Sequence, residues 1–199
     1  MTGVAVVLDA ETVIVGLGGN VGDDAAILAR FAGVVRALEA WSTVRGSRVY
    51  RTAAIGPEQA DYLNAALAVD VPEELAASEL IREVQGIERA LGRTRASPLE
   101  APTRWGPRPI DVDVLLWGPR RRAVRGPPAR EGPHPRLAAR AFALAPVIDL
   151  VGADLIHPSE NRTLGELLRD LRAAEPGQRV AVTAYQIDGA PPAPHLLDG

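Results

Sequence analysis

Between Arg104 and Trp117 the chain reads Arg-Trp-Gly-Pro-Arg-Pro-Ile-Asp-Val-Asp-Val-Leu-Leu-Trp, and from Ile110 onward it alternates with a period of two. That period is the signature of a strand with two unlike faces. Ile110, Val112, Val114 and Leu116 fall on one face. Asp111 and Asp113 fall on the other, about 6.5–7 Å apart along the strand. Neighbouring carboxylates repel and strands disfavour Asp, so the pair needs a compensating cation or open solvent. For an isolated Asp-x-Asp, a solvated sheet face is the plainer explanation. If the face lines a cleft, hard divalent ions such as Mg²⁺ can be held by these oxygens together with substrate phosphates. Arg108, just upstream, favours the cleft, because a guanidinium is a planar ligand of fixed charge for phosphate oxygens.

The chemistry open to such a site is narrowed by what the chain lacks. All 22 basic residues are Arg and there is no Cys. A P-loop lysine, a Schiff-base or general-base lysine, a thiol nucleophile, disulfides and Cys-based metal sites are therefore excluded. A G+C-rich genome accounts for most of the arginine usage, but the consequence stands. Positive charge here clamps phosphate and does not shuttle protons. A net charge of −3 argues against nucleic acid or an anionic membrane as partner. No run of 18 apolar residues can span a bilayer, and Met1 to Glu11 lacks the features of a secretory signal. We expect a cytoplasmic protein, one domain over residues 1–188 and a disordered tail over 189–199.

Along the chain, Thr12 to Leu17 is an apolar strand closed by Gly18-Gly19-Asn20. Gly18, Gly19 and Gly22 suit either a structural turn or close approach of a ligand, without a Gly-x-Gly-x-x-Gly pattern. A helix follows, capped by Asp23 or Asp24, with Ile27, Phe31, Val34, Leu38 and Trp41 at helical spacing. Val44 to Arg51 reads as a second strand. Tyr62 to Val69 reads as a third, placing Tyr62 and Asn64 on one face, where they could stack on and hydrogen-bond a flat heterocycle; taken alone, a core-edge Tyr with an Asn satisfied by backbone is the plainer explanation. Asp70-Val71-Pro72-Glu73 reads as a helix start, and Leu80, Ile81, Val84, Ile87 and Leu91 form the stripe of that helix. Gln85 and Glu88 lie beside the stripe, facing either the cleft or solvent, and Gly92 ends the helix. The long loop from Arg93-Thr94-Arg95 to Trp105 reads as a lid over an anionic ligand or a solvated insertion. Gly118 to Gly132 is a Pro/Gly/Arg-rich connection with the look of a solvated hairpin. His134, between two prolines, is a candidate phosphate hydrogen-bond donor or a structural histidine. Short helices are expected over Ala141–Leu150 and Thr163–Arg172, and a last strand over Arg179–Tyr185.

Strand–helix–strand–strand–helix–strand is the ferredoxin-like plan, an α+β fold with helices layered on an antiparallel sheet, here with C-terminal additions. Arg-Trp-Gly-Pro-Arg-x-x-Asp-Val-Asp-Val-Leu closely resembles the signature of the 6-hydroxymethyl-7,8-dihydropterin pyrophosphokinase family. The resemblance runs from Ile14 to about Leu168. It takes in Leu17-Gly18-Gly19-Asn20, Tyr50-Arg51-Thr52, Tyr62-Leu63-Asn64-Ala65, Ile87-Glu88, Gly92-Arg93-Thr94-Arg95 and Pro133-His134-Pro135-Arg136 with Arg140 and Phe142. It implies an ATP-dependent diphosphokinase of folate biosynthesis that moves the β,γ-diphosphate of ATP to the pterin hydroxymethyl group and releases AMP. By the same resemblance, Tyr62 and Phe142 sandwich the pterin, while Asn64 and the backbone around Thr52 and Ile55 read its edge. Asp111 and Asp113 hold two Mg²⁺ ions. Gln85, Arg93, Arg95, Trp105, Arg108, His134 and Arg140 surround ATP, with Arg93, Arg95 and Arg108 joining the Asp pair as catalytic residues. A monomer acting on small molecules is implied. The chain departs from the family at Gly19, where Ser is usual, at Ala53-Ala54, in a longer loop over Ala96–Thr103, and at Arg130-Glu131-Gly132.

Three other readings compete. A ferredoxin-like binding module for RNA needs exposed aromatics and a basic surface, against 4% aromatic residues and an acidic balance. A two-metal phosphohydrolase could use the same Asp pair, yet has no need of Tyr62, Asn64 and Phe142 and would yield ADP or phosphate. A catalytically dead scaffold has no reason to keep Asp111, Asp113 and Arg108.

Overall fold

The computed structural model describes residues 6–9, 11–40, 42–72, 74–94, 106–118, 122–124, 130–185 and 187. Trp41, Glu73, Arg95, Trp105, the 96–103 loop and the 189–199 tail lie outside the described residues.

The strands are β1 (Thr12–Gly19), β2 (Val44–Gly46), β3 (Tyr50–Thr52), β4 (Tyr62–Asp70), β5 (Asp111–Trp117), β6 (Arg122–Val124), β7 (Arg130–Gly132) and β8 (Val180–Val182). The helices are α1 (Asp24–Glu39), α2 (Ala77–Ala90), α3 (Ala141–Val151) and α4 (Leu164–Ala174). The main sheet runs β5-β1-β4-β3-β8, with β2 also paired to β4, and every pairing in it is antiparallel. With β2 and β3 taken as one broken strand, the order of the core is that of the expected βαββαβ plan. No described helix is long and apolar enough to cross a membrane.

The period of two in the strands sorts the core into two layers. Val13, Val15 and Leu17 of β1 and Leu63, Ala65, Leu67 and Val69 of β4 bury one face against α1 and α2. Ile14, Ala66 and Ala68 bury the other against α3 and α4. Phe31, Val34 and Leu38 supply the α1 stripe, and the Asp23 carboxylate caps that helix by accepting from Ala26 N–H at 2.8 Å.

Four expectations change. The strand expected over Val44–Arg51 is two strands: Gly46 pairs with Leu67 but Tyr50 with Asn64, so four steps on one side meet three on the other. This is a one-residue bulge, which Ser47 stitches by giving its N–H to Ala66 O and taking Ala66 N–H on Oγ, both at 2.9 Å. The helix expected at Asp70 begins instead at Ala77. Asp70 closes β4, the ladder runs on through Val71 N–H to Glu11 O at 2.8 Å, and Pro72 has no N–H with which to continue it. The apolar face of β5 breaks at its end: Val15 pairs with Val114 but Ile14 with Leu116, so Leu115 is extra and Leu116 turns to the α3/α4 side. Finally, β8 covers only Val180–Val182 of the expected Arg179–Tyr185 strand. Within Gly118–Gly132, β6 and β7 pair antiparallel, so the connection does contain a hairpin.

Candidate active site

The α3/α4 face of the sheet is left uncovered toward one end, and there a cleft of about 1110 Å³ opens. Asp111 and Asp113 line it from β5, as do Tyr62 and Asn64 from β4 and Thr52 from β3. Gln85 of α2, Arg93, Arg108, His134, Arg140, Ile55 and Phe142 close its sides. Every expected site residue that is described thus meets in one cavity. Arg95 and Trp105 lie outside the described residues.

The floor is glycine. Gly18 sits between Asn64 and Asp111 in the sheet register, and Gly16 sits beside Asp113. A methyl group at Gly18 would stand 2.9 Å from Asn64 Oδ1, and one at Gly16 2.7 Å from Leu115 Cδ1. Gly18 and Gly19 belong to β1 and not to a phosphate-cradling loop; of the three glycines only Gly22 takes a positive φ, in the turn before α1. Gly19 is tightly enclosed, since a Cβ there would meet Pro109 O at 2.8 Å.

Asp111 and Asp113 share a face but not an environment. Asp111 accepts from both Arg93 and Arg108, whereas the Asp113 carboxylate makes no hydrogen bond or ion pair among the described residues. Arg93 also donates to Glu88, which is 1% exposed and takes the Val112 N–H on Oε1 at 2.9 Å. Burial alone would lower the Arg93 guanidinium, but Asp111 and Glu88 outweigh it and raise its pKa. Glu88 is therefore neither solvent-facing nor a bare cleft carboxylate: it anchors β5 and Arg93 together. Its position four residues after Val84, inside the apolar stripe, is the sequence signal for this.

On the opposite side of the floor, Asn64 Nδ2 donates to Thr52 Oγ1 at 2.7 Å, and both side chains are buried. The Tyr62 hydroxyl donates to Gly106 O at 3.3 Å, and burial raises its pKa. His134 gives its N–H to Leu115 O at 2.8 Å and accepts from Arg136 N–H on Nδ1 at 3.1 Å. In a neutral imidazole this network puts the proton on Nε2. Arg140 lies over the Phe142 ring at 5.3 Å; burial first, and the Arg136 guanidinium second, lower its pKa. An arginine remains charged through such a shift.

Sequence reasoning assigned no role to Asn20, which is 6% exposed. Its Nδ2 donates to Gln59 Oε1 at 3.0 Å and Ala60 O at 3.1 Å, while its Oδ1 takes the Arg108 N–H at 2.8 Å. One amide thus ties the approach to β5 to the loop before β4. Among the described residues no group of three or more His, Asp or Glu could hold a metal. Two carboxylates leave most of the coordination shell of a hard cation to other oxygens, which suits an ion that arrives with a polyphosphate.

Residues 14–152 match the family model described as 7,8-dihydro-6-hydroxymethylpterin-pyrophosphokinase. A 2-amino-4-hydroxy-6-hydroxymethyldihydropteridine pyrophosphokinase of Methylorubrum extorquens is 37% identical over 161 residues, 78% of this chain and 90% of the relative. The enzyme of the same description from Synechocystis is 32% identical, covering 79% of this chain and 75% of its own. In three dimensions the chain is similar to Plasmodium falciparum HPPK-DHPS, with a TM-score of 0.60 at 11% identity over 82% of this chain. The chain spans 45% of that protein, and the likeness speaks to the fold.

Proposed function

We propose roles for the residues of this cleft from one premise: the chain belongs to the 7,8-dihydro-6-hydroxymethylpterin-pyrophosphokinase family and catalyses pyrophosphoryl transfer from ATP to hydroxymethyldihydropterin in folate biosynthesis. The pterin lies between Tyr62 and Phe142, with its edge read by Asn64 and by the backbone of Thr52 to Ile55. The triphosphate lies beside the Asp111–Asp113 pair, met by Arg93, Arg108, Arg140 and His134, with Gln85 toward the nucleoside. Arg95 and Trp105 join the ATP site by resemblance alone.

The hydroxymethyl oxygen attacks the β-phosphorus, the bond from the α,β-bridging oxygen to that phosphorus breaks, and AMP leaves while the hydroxyl proton is released. Such a transfer calls for in-line positioning and fixed positive charge, not a covalent intermediate. Asp111 and Asp113 fit Mg²⁺ in type and placement and would hold two ions; bound magnesium would neutralise charge on the phosphates. Before nucleotide arrives, Arg93 and Arg108 keep Asp111 neutralised, and phosphate oxygens offer both guanidiniums a competing partner. The protein acts as a monomer of one domain, residues 1–188, in the cytoplasm.

One observation carries this reading: the carboxylate pair and the Tyr62–Asn64–Phe142 set line one continuous cleft. The test is the nucleotide product formed from ATP, Mg²⁺ and the reduced hydroxymethylpterin. AMP in step with pterin diphosphate, lost in Asp111→Ala and Asp113→Ala, is the expected result. ADP, or undiminished turnover in both variants, overturns it.

A further inference from the structure

The first turn of α3 carries Phe142, yet its N-cap residue, Arg140, provides no side-chain cap. The missing acceptor comes from a distant part of the chain. Gln178, in the connection from α4 to β8, takes the Ala141 N–H on Oε1 at 2.9 Å. Its Nε2 donates to Ala139 O at 3.2 Å and to Glu175 Oε2 at 2.7 Å, so the amide is fixed at both ends. The next residue reaches the facing wall: Arg179 O accepts the Ala53 N–H at 3.1 Å. Ala53, Ile55, Phe142, Gln178 and Arg179 together line one small niche beside the cleft. Two successive residues of one connection therefore hold both walls of the slot assigned above to the pterin.

We propose that Gln178, acting with the Arg179 carbonyl, is a positioning residue that sets the width of the pterin slot by fixing the first turn of α3 against the loop after β3. The inference rests on the reading that Phe142 faces the pterin ring. Gln178 borders the cleft, but its amide is taken up by Ala141, Ala139 and Glu175. It acts through Phe142, whose distance from Ala53 and Ile55 decides whether a flat ring is gripped or loose. Because a helix start without its acceptor leaves an N–H unsatisfied, the turn would rotate toward water once Gln178 is truncated.

The experiment is calorimetric titration of hydroxymethyldihydropterin into protein saturated with Mg²⁺ and α,β-methylene-ATP, whose bridging carbon blocks the transfer. Gln178→Ala is expected to raise the pterin Kd by roughly 5- to 20-fold, the size of effect that loss of one such hydrogen bond gives. Gln178→Met, which keeps the length of the side chain, should give the same rise and stands in if the alanine variant does not fold. The double variant Glu175→Gln/Gln178→Glu exchanges donor and acceptor between the two side chains and leaves an oxygen for Ala141 while losing the donor to Ala139 O, so it should recover part of the lost affinity. Phe142→Ala is titrated in parallel. If Phe142→Ala weakens binding while the Gln178 variants do not, the inference falls and the site reading stands. If Phe142→Ala has no effect, both fall. A lowered melting temperature with no change in Kd marks a residue that merely stabilises the fold and overturns the inference as well.

Discussion

Asn20 and Arg108 are joined twice, once through the backbone and once through the Asn20 side chain: Asn20 N–H donates to Arg108 O at 3.0 Å, and Arg108 N–H donates to Asn20 Oδ1 at 2.8 Å. The pair aligns the segment entering β5 with the end of β1, so the Arg108 side chain starts from a fixed backbone. Asn20→Ala keeps the first bond and removes the second, along with the bonds to Gln59 and Ala60. Loss of about 1–3 kcal/mol of stability is expected, since a partly buried N–H is left without its acceptor. Turnover should fall with it, as Arg108 loses its register. Urea unfolding and steady-state kinetics on the same preparation check both.

The unlike surroundings of the two aspartates predict a split between stability and activity. Asp111→Asn removes the charge that Arg93 and Arg108 share, leaving Arg93 paired with Glu88 and taking one carboxylate from Arg108, and should cost about 1–3 kcal/mol. Asp113→Asn breaks no ion pair among the described residues and removes a like charge from the Asp111 face, so stability should stay within about 0.5 kcal/mol. Both should lower kcat by roughly 100-fold or more, as expected of groups that stabilise transferring phosphate. An Asp113→Asn protein as stable as the parent but fully active would remove the metal-holding role assigned to this residue.

Glu88→Gln tests the support beneath that pair. The amide keeps an oxygen for Val112 N–H but brings no charge to Arg93, which among the described residues would then rely on Asp111. A buried acid losing its ionic partner role should cost about 2–4 kcal/mol. The kinetic signature is a higher KM for ATP, because a guanidinium held less firmly presents itself to phosphate less often. Thermal unfolding and an ATP titration report the two effects separately.

Stability should also fall in mild acid, for a reason remote from the cleft. His157 is 3% exposed, accepts from Ser159 and Glu160 N–H on Nδ1, and has no partner for Nε2 among the described residues. Burial lowers its pKa below the ordinary 6.5, with Glu160 opposing only in part. Below that value the unfolded chain takes up the proton more readily than the folded one, so unfolding is favoured as pH falls. The contribution is fully present above about pH 6.5 and is lost between there and the lower folded pKa. His157→Asn, whose Oδ1 can still accept from the two N–H groups, should flatten the slope of melting temperature against pH in this window. An unchanged slope would assign the acid sensitivity elsewhere.

Much of this is legible in the sequence. The Asp111/Asp113 alternation puts both carboxylates on one face, the two-residue spacing of Tyr62 and Asn64 puts them on one side of β4, and the stripes of α1 and α2 mark the core, because each rests on a local period. Gly92, with φ +93, ends its helix as glycine chemistry predicts. What escaped is set by pairing between distant segments. The extra residues at Leu115 and around Ser47–Val49 exist only relative to a neighbouring strand, and no single strand announces a bulge. Pro72 was misread for a related reason: Asp-Val-Pro-Glu is a sound helix start unless a partner strand already holds Asp70 and Val71. Asn20, Glu88 and Gln178 act on backbone N–H donors 24 to 88 positions away, so their chemistry is visible in the sequence and their partners are not.

The glycine floor gives the sharpest steric test. Gly18 lies directly between Asn64 and Asp111, and a Cβ there would come within 2.9 Å of Asn64 Oδ1 and 4.0 Å of Asp111 Cβ. The second contact is ordinary, so the aspartate can stay where it is. The first is too close, so the Asn64 amide must turn, and turning it strains the 2.7 Å bond to Thr52. Gly18→Ala should therefore raise the KM for the pterin roughly 10-fold, the scale of one misdirected hydrogen bond, while leaving the KM for ATP within about 2-fold. A Gly18→Ser variant should be worse, since its hydroxyl adds bulk above the floor where the ring would lie. Substrate titrations at saturating concentration of the other substrate distinguish the two constants. An equal loss on both sides would mean that the floor serves the triphosphate and the ring alike, and that Asn64 is not the atom set that Gly18 protects.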